Sequence, residues 1–137
     1  MLINEDVFNQ VVSRGAGSQG SFIKQYLQQL GNFLGLLTVA NNRPIYAKEL
    51  DIKQLLVEGF TSDKMKYVTT FVCRILRECS KSVVFKLQNP WVKANIEILR
   101  EIYDWSYQNN QGNANSDIIM EIDGLFKTFN INHPQEI

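Results

Sequence analysis

"YVTTFVCRILRECS", residues 67–80, decides the fold class. Val68, Phe71, Val72, Ile75, Leu76 and Cys79 recur three and four residues apart, so they share one face of a helix and leave the other face polar. Downstream, Asn89-Pro90 marks a second helix start, because Asn is a strong N-cap and Pro at the first helical position has its φ preset and no N–H to leave unpaired. Val92, Ile96, Leu99, Ile102 and Tyr103 form the apolar face of that helix. "QNNQGNANS" (108–116) then breaks the chain before a last helix with Ile118, Ile119, Ile122, Leu125, Phe126 and Phe129.

Upstream the pattern is the same. Asp51 caps a short helix carrying Ile52, Leu55, Leu56 and Phe60, and Asn41 to Pro44 reads as a turn. Before it, Phe22, Ile23, Tyr26, Leu27, Leu30, Phe33, Leu34 and Leu37 make the longest apolar stripe, capped by Ser21 and reaching about Ala40. Gly31 and Gly35 within it have the spacing that permits close helix contact. A first helix is expected over 3–14, with Asn4 as cap and Ile3, Val7, Phe8, Val11 and Val12 on one side, followed by the connector "GAGSQG". No strict two-residue alternation of useful length argues for sheet. The expectation is an all-α chain of about six helices. Each has one apolar face and short connections, so neighbours should pack antiparallel as stacked hairpins, in a bundle or a HEAT-like solenoid.

At 137 residues and 45% hydrophobic, the chain has enough apolar material for one core, and 1–137 reads as one domain. No apolar run approaches the roughly 18–20 residues of a membrane span. The N-terminal "MLINEDVFNQ" carries acids where a signal peptide carries lysines. A soluble intracellular protein with no membrane association is expected.

Catalytic chemistry is hard to assemble from these residues. The single histidine, His133, stands beside Pro134 near the C-terminus, and no HExxH, paired CxxC, P-loop or GxGxxG occurs. Cys73 and Cys79 are about 9 Å apart along one helix, beyond the roughly 7 Å reach of a disulfide, and read as small buried hydrophobes. With one histidine they cannot complete a four-ligand zinc site. No enzyme, cofactor or metal is expected.

Two features carry functional content. Formal charge balances at 14 against 14, yet residues 62–93 are net positive through Lys64, Lys66, Arg74, Arg77, Lys81, Lys86 and Lys93, while the chain from Glu97 onward is net negative. This is either a solvated surface or a pair of docking surfaces of opposite sign. Trp91 follows a fixed cap, and the stripe set by Val92, Ile96 and Leu99 need not include it. With Phe85 it either forms an aromatic anchor for a partner or seals the end of a hairpin.

"LGNFLGLLTVANNRPIYAKELDIKQLLVEGF" (30–60), "YVTTFVCRIL" (67–76) and "SVVFKLQNPWVKANIEIL" (82–99) together resemble one family, the scaffold subunit Not-one of the Ccr-Not deadenylase complex. The likeness is to its central domain, related to the middle domain of translation initiation factor four-gamma. It runs from about residue 22 to 131, and "EIDGLFKTFNIN" (121–132) matches more loosely. Leu87-Gln88 departs from it, standing where the family places prolines.

The resemblance implies a non-catalytic HEAT-type scaffold module, equivalent to the C-terminal part of a longer central domain. It would dock a Caf-type deadenylase and a DEAD-box RNA helicase, alongside other Ccr-Not subunits, for mRNA deadenylation and translational repression. The implied setting is the cytoplasm, with the nucleus open as a second compartment. Phe85, Asn89, Pro90 and Trp91 become the implied partner-facing loop, with Lys64, Arg74 and Lys81 as basic contacts for an acidic surface. A helical-repeat RNA-binding module and a purely structural bundle are the competing readings. Tyr67 and Phe71 fall on the apolar side of the basic helix, where they cannot stack bases, which favours protein partners over direct nucleic-acid binding.

Overall fold

The computed structural model describes residue 10 and residues 20–131, except 49 and 63. Five α-helices occur in that part: α1 (Gly20–Leu37), α2 (Ile52–Phe60), α3 (Met65–Arg77), α4 (Pro90–Gln108) and α5 (Ser116–Thr128). Short 3-10 turns follow α1, α3 and α4, and no strand occurs among the described residues. Apart from Gln10, the expected helix over 3–14 lies outside them.

Local chemistry sets the helix starts. Asp51 Oδ1 accepts from the Gln54 amide at 3.0 Å, and Asn89 caps α4 with Pro90 at its first position. α1 ends where the Thr38 hydroxyl donates to the Leu34 carbonyl at 2.7 Å, and the following turn closes on Asn42 in the left-handed region at φ 63°.

Packing gives a stack of helical hairpins. α2 and α3 form one hairpin and α4 and α5 the next; α2 lies against α4, and α3 lies between α1 and α5. One layer therefore holds α2 and α4, and the other holds α1, α3 and α5. The all-α class and its stacked hairpins are as expected.

α3 differs from expectation in one respect. Its second face is largely covered, because α1, α2 and α5 pack around it: Thr69 and Thr70 are fully buried with Phe71, Val72, Ile75 and Leu76, while Lys66 stays exposed and Arg74 and Arg77 partly so. Each large apolar side chain so enclosed contributes about 1.5–3 kcal/mol relative to exposure. Against α3, α1 comes very close. A Cβ on Gly31 would stand 2.6 Å from the Phe71 carbonyl oxygen, and one on Gly35 would stand 2.8 Å from that of Ile75. The glycines let the backbones meet. Leu27 and Leu34 are buried there, but Phe22, Tyr26, Phe33 and Leu37 are exposed, because the apolar stripe of α1 is wider than its contact with α3.

Candidate functional site

The expected partner-facing loop is a corner built by short-range hydrogen bonds. Asn89, at φ −64° and ψ 128°, accepts on Oδ1 from the amides of Trp91 at 2.9 Å and Val92 at 3.4 Å. Its own amide donates to the Lys86 carbonyl at 2.9 Å, and the Asn95 side chain donates to the Trp91 carbonyl at 2.9 Å. The chain is thus held on both sides of Pro90. Trp91 is half-buried, and its ring meets that of Phe85 edge to face, with centroids 5.8 Å apart.

Phe85 itself is buried, at 6% exposure. It cannot present its ring to a partner and serves instead as the floor under Trp91. Pro90 is exposed and Asn89 half-buried, so the accessible part of the corner is Asn89, Pro90 and one face of Trp91. Leu87-Gln88 runs between two open depressions, one of about 290 Å3 toward Phe129 and one of about 470 Å3 toward Lys93 and Arg100.

Sequence reasoning missed what holds the loop from behind. Asn42 Oδ1 accepts from the Ser82 hydroxyl at 2.7 Å and from the amides of Val83 at 2.9 Å and Val84 at 3.2 Å. Ser82 Oγ in turn accepts from the Phe85 amide at 2.8 Å. The available signal was "NNRP" after α1, where Asn tolerates the left-handed backbone that aims this side chain across the fold.

The basic residues do not gather at the corner. Arg74 Nε and Nη2 donate to Glu121 at 3.1 and 3.3 Å, with Arg77 3.7 Å from the same carboxylate and the Gln28 amide donating to it at 3.1 Å. Arg74 is therefore spent inside the fold, and part of the positive stretch and part of the negative stretch neutralise each other where α3 meets α5. Lys64 lies at the N-terminal end of the 13-residue α3, about 20 Å from the end that leads to the corner. Lys81, exposed and paired with Glu78 at 3.0 Å, directly precedes Ser82 and is the expected cation nearest the loop.

No catalytic grouping is built from the described residues. Burial pushes the thiols of both Cys73 and Cys79 up, Cys79 to about 12 with Glu78 adding to the effect, so neither offers a thiolate near neutrality. Both cysteines are free, and among the described residues no three His, Cys, Asp or Glu side chains come together as metal ligands. No described helix is long and apolar enough to cross a membrane.

Comparison with known proteins decides the family. Residues 7–136 match the CCR4-NOT transcription complex subunit 1 CAF1-binding domain. The chain belongs to that family. The family is that of a domain of a CCR4-NOT complex subunit. The chain is 39% identical over 83 residues to the general negative regulator of transcription subunit 1 of Schizosaccharomyces pombe, covering 61% of this chain and 4% of that protein. To the protein of that name in Saccharomyces cerevisiae it is 32% identical over 108 residues, 79% of this chain and 5% of the relative. To the CCR4-NOT transcription complex subunit let-711 of Caenorhabditis elegans it is 32% identical over 110 residues, again 79% of this chain and 4% of the relative. The chain thus spans about one-twentieth of the length of these curated relatives.

Proposed function

We propose that this chain docks a Caf-type deadenylase through the corner formed by Asn89, Pro90 and Trp91 over buried Phe85. On the same reading it also receives a DEAD-box helicase, in the service of mRNA deadenylation and translational repression in the cytoplasm. The deadenylase reading is supported by membership of a family described as CAF1-binding. The observation that carries the site is Trp91: half-open, set edge-on to a buried Phe85, and fixed by the Asn89 cap. Preordered Trp residues at the edge of a packed core dominate interface energetics. The helicase follows from the resemblance of the sequence motifs. RNA is disfavoured, since Tyr67 and Phe71 are buried and Arg74 is paired with Glu121.

The test is Trp91→Ala titrated by calorimetry against a recombinant Caf-type deadenylase. Truncating a fully buried Trp costs about 3–5 kcal/mol, so a half-buried one should cost roughly half of that and leave a folded protein. Binding should lose about 2 kcal/mol, near thirtyfold in affinity. Asn89→Ala is the control for a loosened cap, costing about 1 kcal/mol of stability. Unchanged affinity of the folded Trp91→Ala protein would remove the corner from the interface.

A further inference from the structure

Among the described helices α1 is outermost in its layer, and its outer side is apolar. α3 covers the opposite side through Leu27, Gly31, Leu34 and Gly35, yet Phe22, Tyr26, Phe33, Leu36 and Leu37 remain between 45% and 71% exposed. Phe22, Tyr26, Gln29, Phe33 and Leu36 follow at steps of four, three, four and three, the 3.5-residue period that keeps a seam facing a second helix. The outermost helix of a stack ordinarily turns a polar side to water. Here the exposed positions along α1 carry no charge, because its single charged residue, Lys24, turns toward α5 and pairs with Asp117 at 3.0 Å.

The area is that of an interface. Taking roughly 200 Å2 for each large side chain, with about half of it open, the five leave on the order of 500 Å2 of apolar surface on one copy. That stands at the upper end of what a monomer shows. Two such seams laid together would bury about 1,000 Å2 in all, which reaches the threshold of a specific interface. Gln25, Gln29 and Asn32 along the seam add to it.

Gln29 selects the occupant. It lies midway between Phe22 and Leu36, and its amide both donates and accepts. Pressed against lipid or a wholly apolar partner, that amide would be buried unpaired, and a strongly charged partner would find no countercharge along the seam. A second copy of the chain meets both conditions. It is equally neutral, and when two seams overlap along their full length about a two-fold axis, each Gln29 stands beside the other and can pair with it.

We infer that two copies of this chain associate through α1, seam against seam about a two-fold axis beside Gln29, with Phe22, Tyr26, Phe33, Leu36 and Leu37 forming the apolar contact.

Sedimentation equilibrium of the full chain tests this. The parent should pass from monomer to dimer, and no further, as its concentration rises from about 1 to about 100 µM, the range of an interface at the small end of the specific class. Phe33→Asp should weaken the dimer about tenfold or more while the melting temperature of the dilute protein stays close to the parent's, since the position is open to water in one copy. Gln29→Lys and Gln29→Glu should each weaken it about tenfold alone, by setting like charges face to face, and their equimolar mixture should recover the parent's affinity or exceed it. A parent that stays monomeric, associates beyond a dimer, or keeps its dimer affinity in Phe33→Asp would overturn the inference. So would a mixture of the two Gln29 variants no tighter than either alone, since the seams would then not face each other at Gln29. A fall of more than about 4 °C in the melting temperature of dilute Phe33→Asp would also overturn it, because the seam would then be covered within one chain, with residues 1–19 as the occupant.

Discussion

Glu121 is buried to 6% exposure, yet its carboxylate accepts three hydrogen bonds, two from Arg74 and one from Gln28, with the Arg77 guanidinium 3.7 Å away as an ion pair. Replacing it with Ala removes the shared acceptor from two guanidinium groups whose side chains are only 23% and 25% exposed. Stripping one partner from a fully buried pair costs about 3–5 kcal/mol. Because a quarter of each Arg side chain still reaches water, Glu121→Ala should cost about 2–4 kcal/mol. Arg74→Ala should cost less, about 1–2 kcal/mol, since Arg77 and Gln28 still serve the carboxylate. The double variant should be milder than the sum of the two by about 1–2 kcal/mol, the coupling expected of residues in one network. Urea unfolding measures all four proteins, and a constant m-value shows that the midpoint shifts report stability. Additivity within about 0.5 kcal/mol would refute a coupled clasp between α3 and α5. The Lys81–Glu78 pair, whose lysine is exposed, is the contrast, and breaking it with Lys81→Ala should cost about 1 kcal/mol at most.

At Gly31, Ala gains about 1 kcal/mol of helix propensity but forces a Cβ against the Phe71 backbone oxygen, an overpacking that costs about 1–3 kcal/mol. Gly31→Ala should therefore lower the melting temperature, and a rise would show that α1 can retreat from α3 without loss. Cys79 moves from its ordinary 9.0 to about 12, chiefly through burial and then through Glu78. The unfolded chain releases this proton near 9 while the folded one keeps it, so stability is intact below that pH and falls as pH rises toward 12, by up to about 1.4 kcal/mol per unit. Cys79→Ala should flatten that alkaline slope in urea titrations, and an unaltered slope would place the effect elsewhere.

What the sequence revealed was local chemistry. Asp51 and Asn89 cap as read because a cap is decided within three residues, and the Gly31–Gly35 spacing foretold contact because no other residue type fits so near a neighbouring backbone. The rest required knowing which elements meet. Phe85 stood in an apolar run with Val83 and Val84, yet Phe85 is buried and both valines are exposed, since Asn42, forty residues upstream, fixes how that run turns. Phe60 matched the apolar stripe of α2, and its exposure follows only from where α4 lies. Arg74 read as surface charge because nothing in α3 announces an acid 47 residues later.

Asn42 and Ser82 bracket the whole α2–α3 hairpin, and their hydrogen bond closes a loop of forty residues. Closing such a loop has an entropic cost that grows only slowly with length, but it has to be met before the contact exists. The stretch leading into the corner cannot take its full shape from its own residues while the hairpin is open, because the acceptor shared by Ser82, Val83 and Val84 is still far away. Completion of that hairpin and the ordering of residues 82–84 behind the Trp91 corner are therefore coupled in folding, and the proposed docking corner, though capped locally by Asn89, lacks this backing until residue 82 has returned to residue 42.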